Sequence, residues 1–252
     1  MKRFLLVGAA LLALATVAPA NAASPGWSWD GWYLGGNAGY SWGRSKTTTT
    51  FIANTTQTFN SSVNMNGWLA GLQAGFNKQN GNWVWGIEAD IQATGQKGTS
   101  AFTCGAGLCT NTTAVPGPLA IVTGNLEQKL DWFGTLRGRI GPTLTPTIWA
   151  YFTVGLAVGH IKSAGTINTF TALVPISAAV SDSTTKFGWT IGAGVEGRIS
   201  GNWTAKFEYL FVDLGAVGFA TTIPTAAPAT TVNVSSKITD HILRVGLNYN
   251  FR

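Results

Sequence analysis

Eight runs of about ten residues alternate apolar and polar side chains, and long and short connections alternate between them. The sequence therefore predicts an all-β fold, an eight-stranded antiparallel up-and-down barrel that crosses a membrane with its strands. Composition points the same way. Only 10% of the residues are charged, against about a quarter in ordinary globular domains, and 32 glycines and 11 tryptophans accompany them.

The chain opens with Lys2 and Arg3, runs apolar from Phe4 to Val17 and reaches the small-residue sequence Ala20-Asn21-Ala22. This pattern predicts a cleaved secretory signal peptide over 1–22, a short N-terminal periplasmic segment over 23–30 and a barrel over 31–252. Two stretches without charge, Ile140 to Ile161 and Ser163 to Ser181, are poor membrane helices. The first contains Pro142 and Pro146, and the second contains Pro175 among many Ser, Thr and Asn.

The first strand sets Trp32, Leu34, Ala38, Tyr40 and Trp42 against Tyr33, Asn37 and Ser41. The second sets Trp68, Leu72 and Phe76 against Gln73 and Asn77; the third, Trp83, Trp85, Ile87 and Ile91 against Glu88, Asp90 and Gln92. In the fourth, Leu130, Trp132, Leu136 and Ile140 oppose Asp131, Arg137 and Arg139, with Lys129 also on the inward parity. The fifth opposes Phe152, Val154 and Leu156 to Tyr151 and Thr153, and Trp149 looks like a break in its register. The sixth opposes Trp189 and Ile191 to Thr190 and Glu196; the seventh, Trp203, Phe207 and Tyr209 to Lys206 and Glu208; the eighth, Val245, Leu247, Tyr249 and Phe251 to Arg244 and Asn248. Apolar faces would meet lipid and polar faces the interior.

The connections 44–66, 95–128, 162–185 and 214–237 are long, whereas 78–82, 141–147 and 200–202 are short. Short turns belong on the periplasmic side and long loops outside, so both termini are expected in the periplasm. Outward Trp32, Trp83, Trp85, Trp203 and Tyr249 then form one aromatic girdle, and Trp42, Trp68, Trp132 and Trp189 form the other.

Three segments carry more specific words: Gly188-Trp189-Thr190-Ile191-Gly192-Ala193-Gly194-Val195-Glu196, Asn202-Trp203-Thr204-Ala205-Lys206-Phe207-Glu208-Tyr209-Leu210-Phe211, and Asp240-His241-Ile242-Leu243-Arg244-Val245-Gly246-Leu247-Asn248-Tyr249-Asn250-Phe251. With Trp32-Tyr33-Leu34-Gly35-Gly36-Asn37-Ala38-Gly39-Tyr40 at the start, the sequence resembles the small porin-family outer-membrane β-barrel proteins of Gram-negative bacteria. That family is similar to the OmpA membrane domain, and some of its members are surface antigens or hemin binders. The resemblance implies an outer-membrane address and insertion by the outer-membrane assembly machinery. One departure is that Arg252 follows the terminal aromatic Phe251 which such machinery reads.

The inward parity collects Glu88, Asp90, Asp131, Glu196 and Glu208 with Lys129, Arg137, Arg139, Lys206 and Arg244. Eight strands enclose an interior just wide enough for side chains, so these ions are expected to pair across the lumen and plug it. No residue is assigned a catalytic role, because Glu88 and Asp90 have basic partners on the adjoining strand and no substrate cleft. Gly192 to Gly197 matches G-x-G-x-x-G but continues a strand and opens no helix, which excludes a dinucleotide site.

Cys104 and Cys109, the only cysteines of an exported chain, are expected to form a disulfide in the second external loop. No cofactor or metal is expected. His160 and His241, at outer strand ends, are the only candidates for hemin, an idea drawn from the family resemblance. Arg44, Lys46, Lys97, Lys129, Lys162, Lys186 and Lys237 mark the outer rim, where lipopolysaccharide phosphates would attract them. The sequence thus predicts a structural or surface protein that supports the envelope and presents four loops to a host or environmental ligand, with outer-membrane lipid and lipopolysaccharide as partners. A small diffusion pore is the alternative and a hemin- or host-binding protein the next. Nothing favours nucleic acid.

Overall fold

The computed structural model describes residues 27–52, 56–104, 121–170, 175–223 and 230–251. Its strands are β1 (Gly31–Ile52), β2 (Thr56–Asn80), β3 (Trp83–Cys104), β4 (Ile121–Thr145), β5 (Ile148–Phe170), β6 (Pro175–Ser200), β7 (Trp203–Ile223) and β8 (Thr230–Phe251). Each pairs antiparallel with the next, and β8 closes on β1, giving the eight-stranded barrel that the alternation predicts. The signal-peptide segment, Cys109 and Arg252 lie outside the described residues.

Partners followed from Tyr33 through Gly75, Glu88, Arg137, Gly155, Thr190, Val212 and Asp240 return to β1 at Gly43, ten positions up the strand. With about 3.3 Å per residue and about 4.8 Å between strands, that stagger tilts the strands by about 40°. The short-turn end is built from two-residue links at Gly81-Asn82, Pro146-Thr147 and Gly201-Asn202. Gly81 and Gly201 adopt φ of 59° and 52°, a conformation that a residue with Cβ rarely takes.

The strands are longer than the ten-residue runs predict. They span 21 to 26 residues, and most of the stretches expected as long loops continue the hairpins. A 22-residue strand at this tilt rises roughly 55 Å, about twice the height of an apolar membrane band. Just above that band inward residues such as Thr47 and Ser236 stay buried, whereas farther up consecutive residues such as Ser181, Asp182 and Ser183 are all exposed, and there the sequence loses its alternation while Thr, Ser and Val retain β propensity.

The apolar face is bare where lipid is expected. Trp68, Phe152 and Leu156 are 73%, 72% and 67% exposed, and all nine girdle aromatics point outward. One correction concerns β4. Leu130 pairs with Ile161 and Trp132 with His160, so Asp131 is an extra residue in a β-bulge. The bulge reverses the parity above it: Leu130 turns inward and is buried, whereas Lys129 turns outward. Trp149 needs the opposite correction. It keeps the inward parity of Tyr151 and Thr153 and is fully buried, and the irregularity beside it lies on β4, where Thr143 pairs with Trp149 and Thr145 with Ile148, so that Leu144 is the extra residue.

Candidate functional site: the filled lumen and the basic rim

Three layers fill the lumen, starting from the short-turn end. The first is aromatic. Residues Trp27 to Asp30 turn across the mouth, where Trp29 packs 5.7 Å from Trp149 and Trp149 packs 4.7 Å from Tyr151. Backbone hydrogen bonds fix the segment: Trp29 N donates to Gln79 Oε1 at 3.0 Å, and Gln79 N donates to Asp30 Oδ1 at 2.8 Å. The Arg198 guanidinium lies 4.6 Å over the Trp27 ring.

The second layer is ionic, and its members arise from neighbouring strands because strand pairing sets Glu88 beside Arg137 and Glu208 beside Arg244. Glu88 accepts hydrogen bonds from Arg137 Nη2, from Tyr33 Oη at 2.8 Å, from Arg139 Nη1 at 2.8 Å and from Lys206 Nζ at 2.7 Å. Asp90 accepts from Arg137 and Arg244, both at 2.9 Å. Glu208 accepts from Arg137 at 2.9 Å, Tyr151 at 2.9 Å and Arg244 at 2.7 Å. Glu196 accepts from Arg139 at 2.5 Å, Thr204 at 2.6 Å and Asn248 at 2.8 Å. The Arg139 guanidinium also lies over the adjoining rings of Trp149 and Tyr151, 4.7 and 4.2 Å from their centroids.

These four acids and four bases balance in charge, and all are buried. Such a network holds together only as a whole, since each charge depends on its partners to offset its lost hydration. Asp131, assigned to this set from parity, does not belong to it. The bulge carries it to the outer side, where it bridges Lys129 at 2.9 Å and Lys162 at 2.5 Å. The carboxylates of Glu88 and Asp90 are engaged by several cations at once, which leaves neither as a free acid or base.

A polar chain runs beside the ions at their own level, where Gln73 opposes Asp90: Asn37 donates to Gln73 at 3.0 Å, and Gln73 donates to Asn248 at 2.6 Å. The third layer, near the upper girdle, is an apolar cluster that includes Leu69, Leu130, Phe133, Ile161, Leu210, Leu214 and Ile242. Asp240 sits beside it, held by Ser41 and by Gln96 Nε2 at 2.6 Å. Sequence reading missed both the Asp240 cluster and the Trp29 cap. Gln96 falls in a stretch read as loop, and the cap joins segments more than a hundred residues apart.

The basic rim divides into groups. Lys97 pairs in register with Lys129, and Lys129 with Lys162, forming a row across β3, β4 and β5. Arg44, Lys46 and Lys237 form a second group on β1 and β8, where Lys46 opposes Lys237 and Lys237 bridges Asp213 at 3.0 Å. Lys186 departs from the predicted collar, because its parity is that of lumen-facing Thr190 and not of outward Phe187 and Trp189.

The histidines do not meet. His160 stacks on Trp132 at 6.1 Å and contacts Thr185, whereas His241 contacts Tyr209 at 2.7 Å, with β6 and β7 between their strands. No cluster of three or more metal-ligating side chains occurs among the described residues. The predicted Cys104–Cys109 pair cannot be placed, since Cys109 lies outside the described residues.

Known proteins match this architecture. The outer membrane protein beta-barrel domain family matches residues 8–251. The chain is 36% identical over 238 residues to the 31 kDa outer-membrane immunogenic protein of Brucella melitensis, covering 93% of this chain and 88% of the relative. It is 30% identical to the 22 kDa outer membrane protein of Rhizobium leguminosarum, over 75% of this chain and 66% of the relative. Among solved structures it is similar to the outer membrane protein OprG of Pseudomonas aeruginosa, with a TM-score of 0.45 and 11% identity over 88% of this chain and 97% of that one.

Proposed function

This chain belongs to the outer membrane protein beta-barrel domain family, and from that premise we propose that it is a structural surface protein contributing to envelope integrity. Its termini lie in the periplasm and its tall hairpins stand outside the cell. The observation that carries this reading is the filled lumen. A charge-balanced ion network, fully buried and stacked between an aromatic cap and an apolar cluster, suits an anchor better than a channel.

The hairpins, which rise well beyond the membrane band, are then the working surface. That role accords with the description of the Brucella relative as immunogenic. Outward basic side chains at the upper girdle meet lipopolysaccharide phosphates, the signal peptide directs export, and Cys104 and Cys109 close a disulfide in the second external connection. No catalytic role is proposed.

Planar-bilayer recording with the full mature protein tests the reading. The expected result is no steady current above the bare bilayer. A stable ohmic conductance would overturn the closed lumen in favour of the small pore.

A further inference from the structure

We propose that the outer face of β3 to β6 is a two-part site for a phosphorylated glycolipid of the surrounding leaflet. The proposal rests on the reading above that the hairpin end faces outside, and it replaces a uniform basic collar with one sided site.

Three observations carry it. First, register sets Lys97, Lys129 and Lys162 side by side and all three are exposed, so the row spans about 10 Å at about 4.8 Å between strands. Asp131 holds two of the ammonium groups in place from below, and among the described residues Lys97 makes no ion pair. Second, a groove of about 750 Å³ begins at Thr99, Glu127 and Ala164, the next outward positions above the three lysines. It continues past Asn125, Thr166 and Ser181. Ala101, Ala164, Gly165 and Ala179 also line it, and its hydroxyl, amide and carboxylate groups offer the donors and acceptors that sugar hydroxyls require. Third, the stacked Trp132 and His160 rings mark the upper aromatic girdle just beneath the row.

Read upward from the membrane, the face presents aromatic rings, then cations, then a polar groove. A membrane-anchored anionic glycolipid presents acyl chains, then phosphates, then sugars. The match in order is what selects this ligand class over a free anion, which needs the lysines alone, and over a free sugar, which needs the groove alone.

The test uses the full mature protein in phosphatidylcholine nanodiscs doped with purified lipopolysaccharide or with bisphosphorylated lipid A, and bound glycolipid is counted by native mass spectrometry. The variant K97Q/K129Q/K162Q should lose both ligands by at least about tenfold at low salt, and the loss should shrink at high salt. The charge-matched variant R44Q/K46Q/K237Q should change binding less than about twofold if attraction depends on the row. Ala164→Trp, which fills the groove, should weaken lipopolysaccharide and spare lipid A. Asp131→Asn should strengthen both, because it removes a competing anion. Heat-dependent electrophoretic mobility confirms that each variant is folded.

Equal losses in the two triple variants would overturn the sided site while leaving a diffuse basic collar standing. No loss in either would overturn both. Competition by inorganic phosphate or free core oligosaccharide as effective as that by the glycolipid would overturn the membrane source of the ligand.

Discussion

Below the upper girdle and above it, the same eight strands build different objects. Between the girdles every strand is hydrogen bonded on both sides and the lumen holds paired charges. Above, among the described residues, pairing of β2 with β3 stops at Asn66–Lys97 and pairing of β6 with β7 stops at Trp189–Asp213. The tall part is therefore two four-stranded leaves, β3 to β6 and β7 to β2, facing each other across two seams. Ser61 and Ser100 Oγ, 3.1 Å apart, touch across one. At the other, where β6–β7 pairing stops, Gly215 turns left-handed with φ of 72° and donates its N–H to Asp213, within a bulge of β7 against β8. The difference teaches where closure is compulsory. Lipid cannot satisfy a bare strand edge, so the spanning part must close, whereas water outside can satisfy the same edge.

If closure and charge pairing together hold the lower part, breaking one ion there should have the largest effect. Arg137 contacts Glu88, Asp90 and Glu208. Arg137→Ala should cost roughly 3 to 5 kcal/mol, because it strands buried carboxylates. Urea unfolding in lipid vesicles, followed by circular dichroism, measures this, and an unchanged midpoint would break the comparison. The aromatic cap should come next. Trp149→Ala should cost about 3 kcal/mol through the cavity it leaves, and more than Trp68→Ala, whose ring is 73% exposed to the lipid side.

The contrast also explains what the sequence could tell. In the spanning part, lipid outside and a filled lumen inside force strict alternation, so Glu88 beside Arg137 could be read from strand adjacency. A single bulged residue, Asp131, defeated that logic, because parity has no memory of an inserted residue, and the parity of Leu130 and Lys129 above it was read inside out. Trp149 was misjudged for a different reason: a large aromatic on the inward parity makes sense only with Trp29 against it, and nothing local announces that partner. High in the hairpins, where consecutive residues such as Ser181, Asp182 and Ser183 are exposed, β strands and loops have similar patterns, and the long hairpins were read as connections.

The cap can also be probed by pH. Partial desolvation raises the Asp30 pKa, but hydrogen bonds from the Gln79 backbone, Ser28 and Lys78 outweigh it and hold the carboxyl below its ordinary value. A carboxyl whose folded pKa is depressed contributes stability above its unfolded pKa of about 3.9 and loses it as pH falls through the lower folded value. The Gln79 amide proton shift, followed by NMR from pH 6 downward, should therefore titrate with a midpoint below about 3.9. A midpoint at or above that value would mean that the cap contacts do not stabilise the carboxylate. Asp30→Asn should flatten the titration and leave the barrel midpoint nearly unchanged, since Asp30 is partly exposed.

The smallest effect is expected at the tip of the upper leaves. Cys104 ends β3, and only Gly105 to Leu108 separate it from Cys109. A disulfide over so short a ring would remove little freedom from the unfolded chain, and Cys104 lies at the opposite end of β3 from the ion network that stabilises the spanning part. Cys104→Ser with Cys109→Ser should accordingly leave the urea midpoint of the barrel where it was, while making the connection between β3 and β4 more sensitive to protease. The parent, purified without reductant, should take up no thiol label until it is reduced. Stoichiometric labelling of both cysteines before reduction would remove the disulfide. A barrel midpoint that fell with the double substitution would show instead that the tall leaves and the spanning part unfold as one unit, contrary to the division that the two seams suggest.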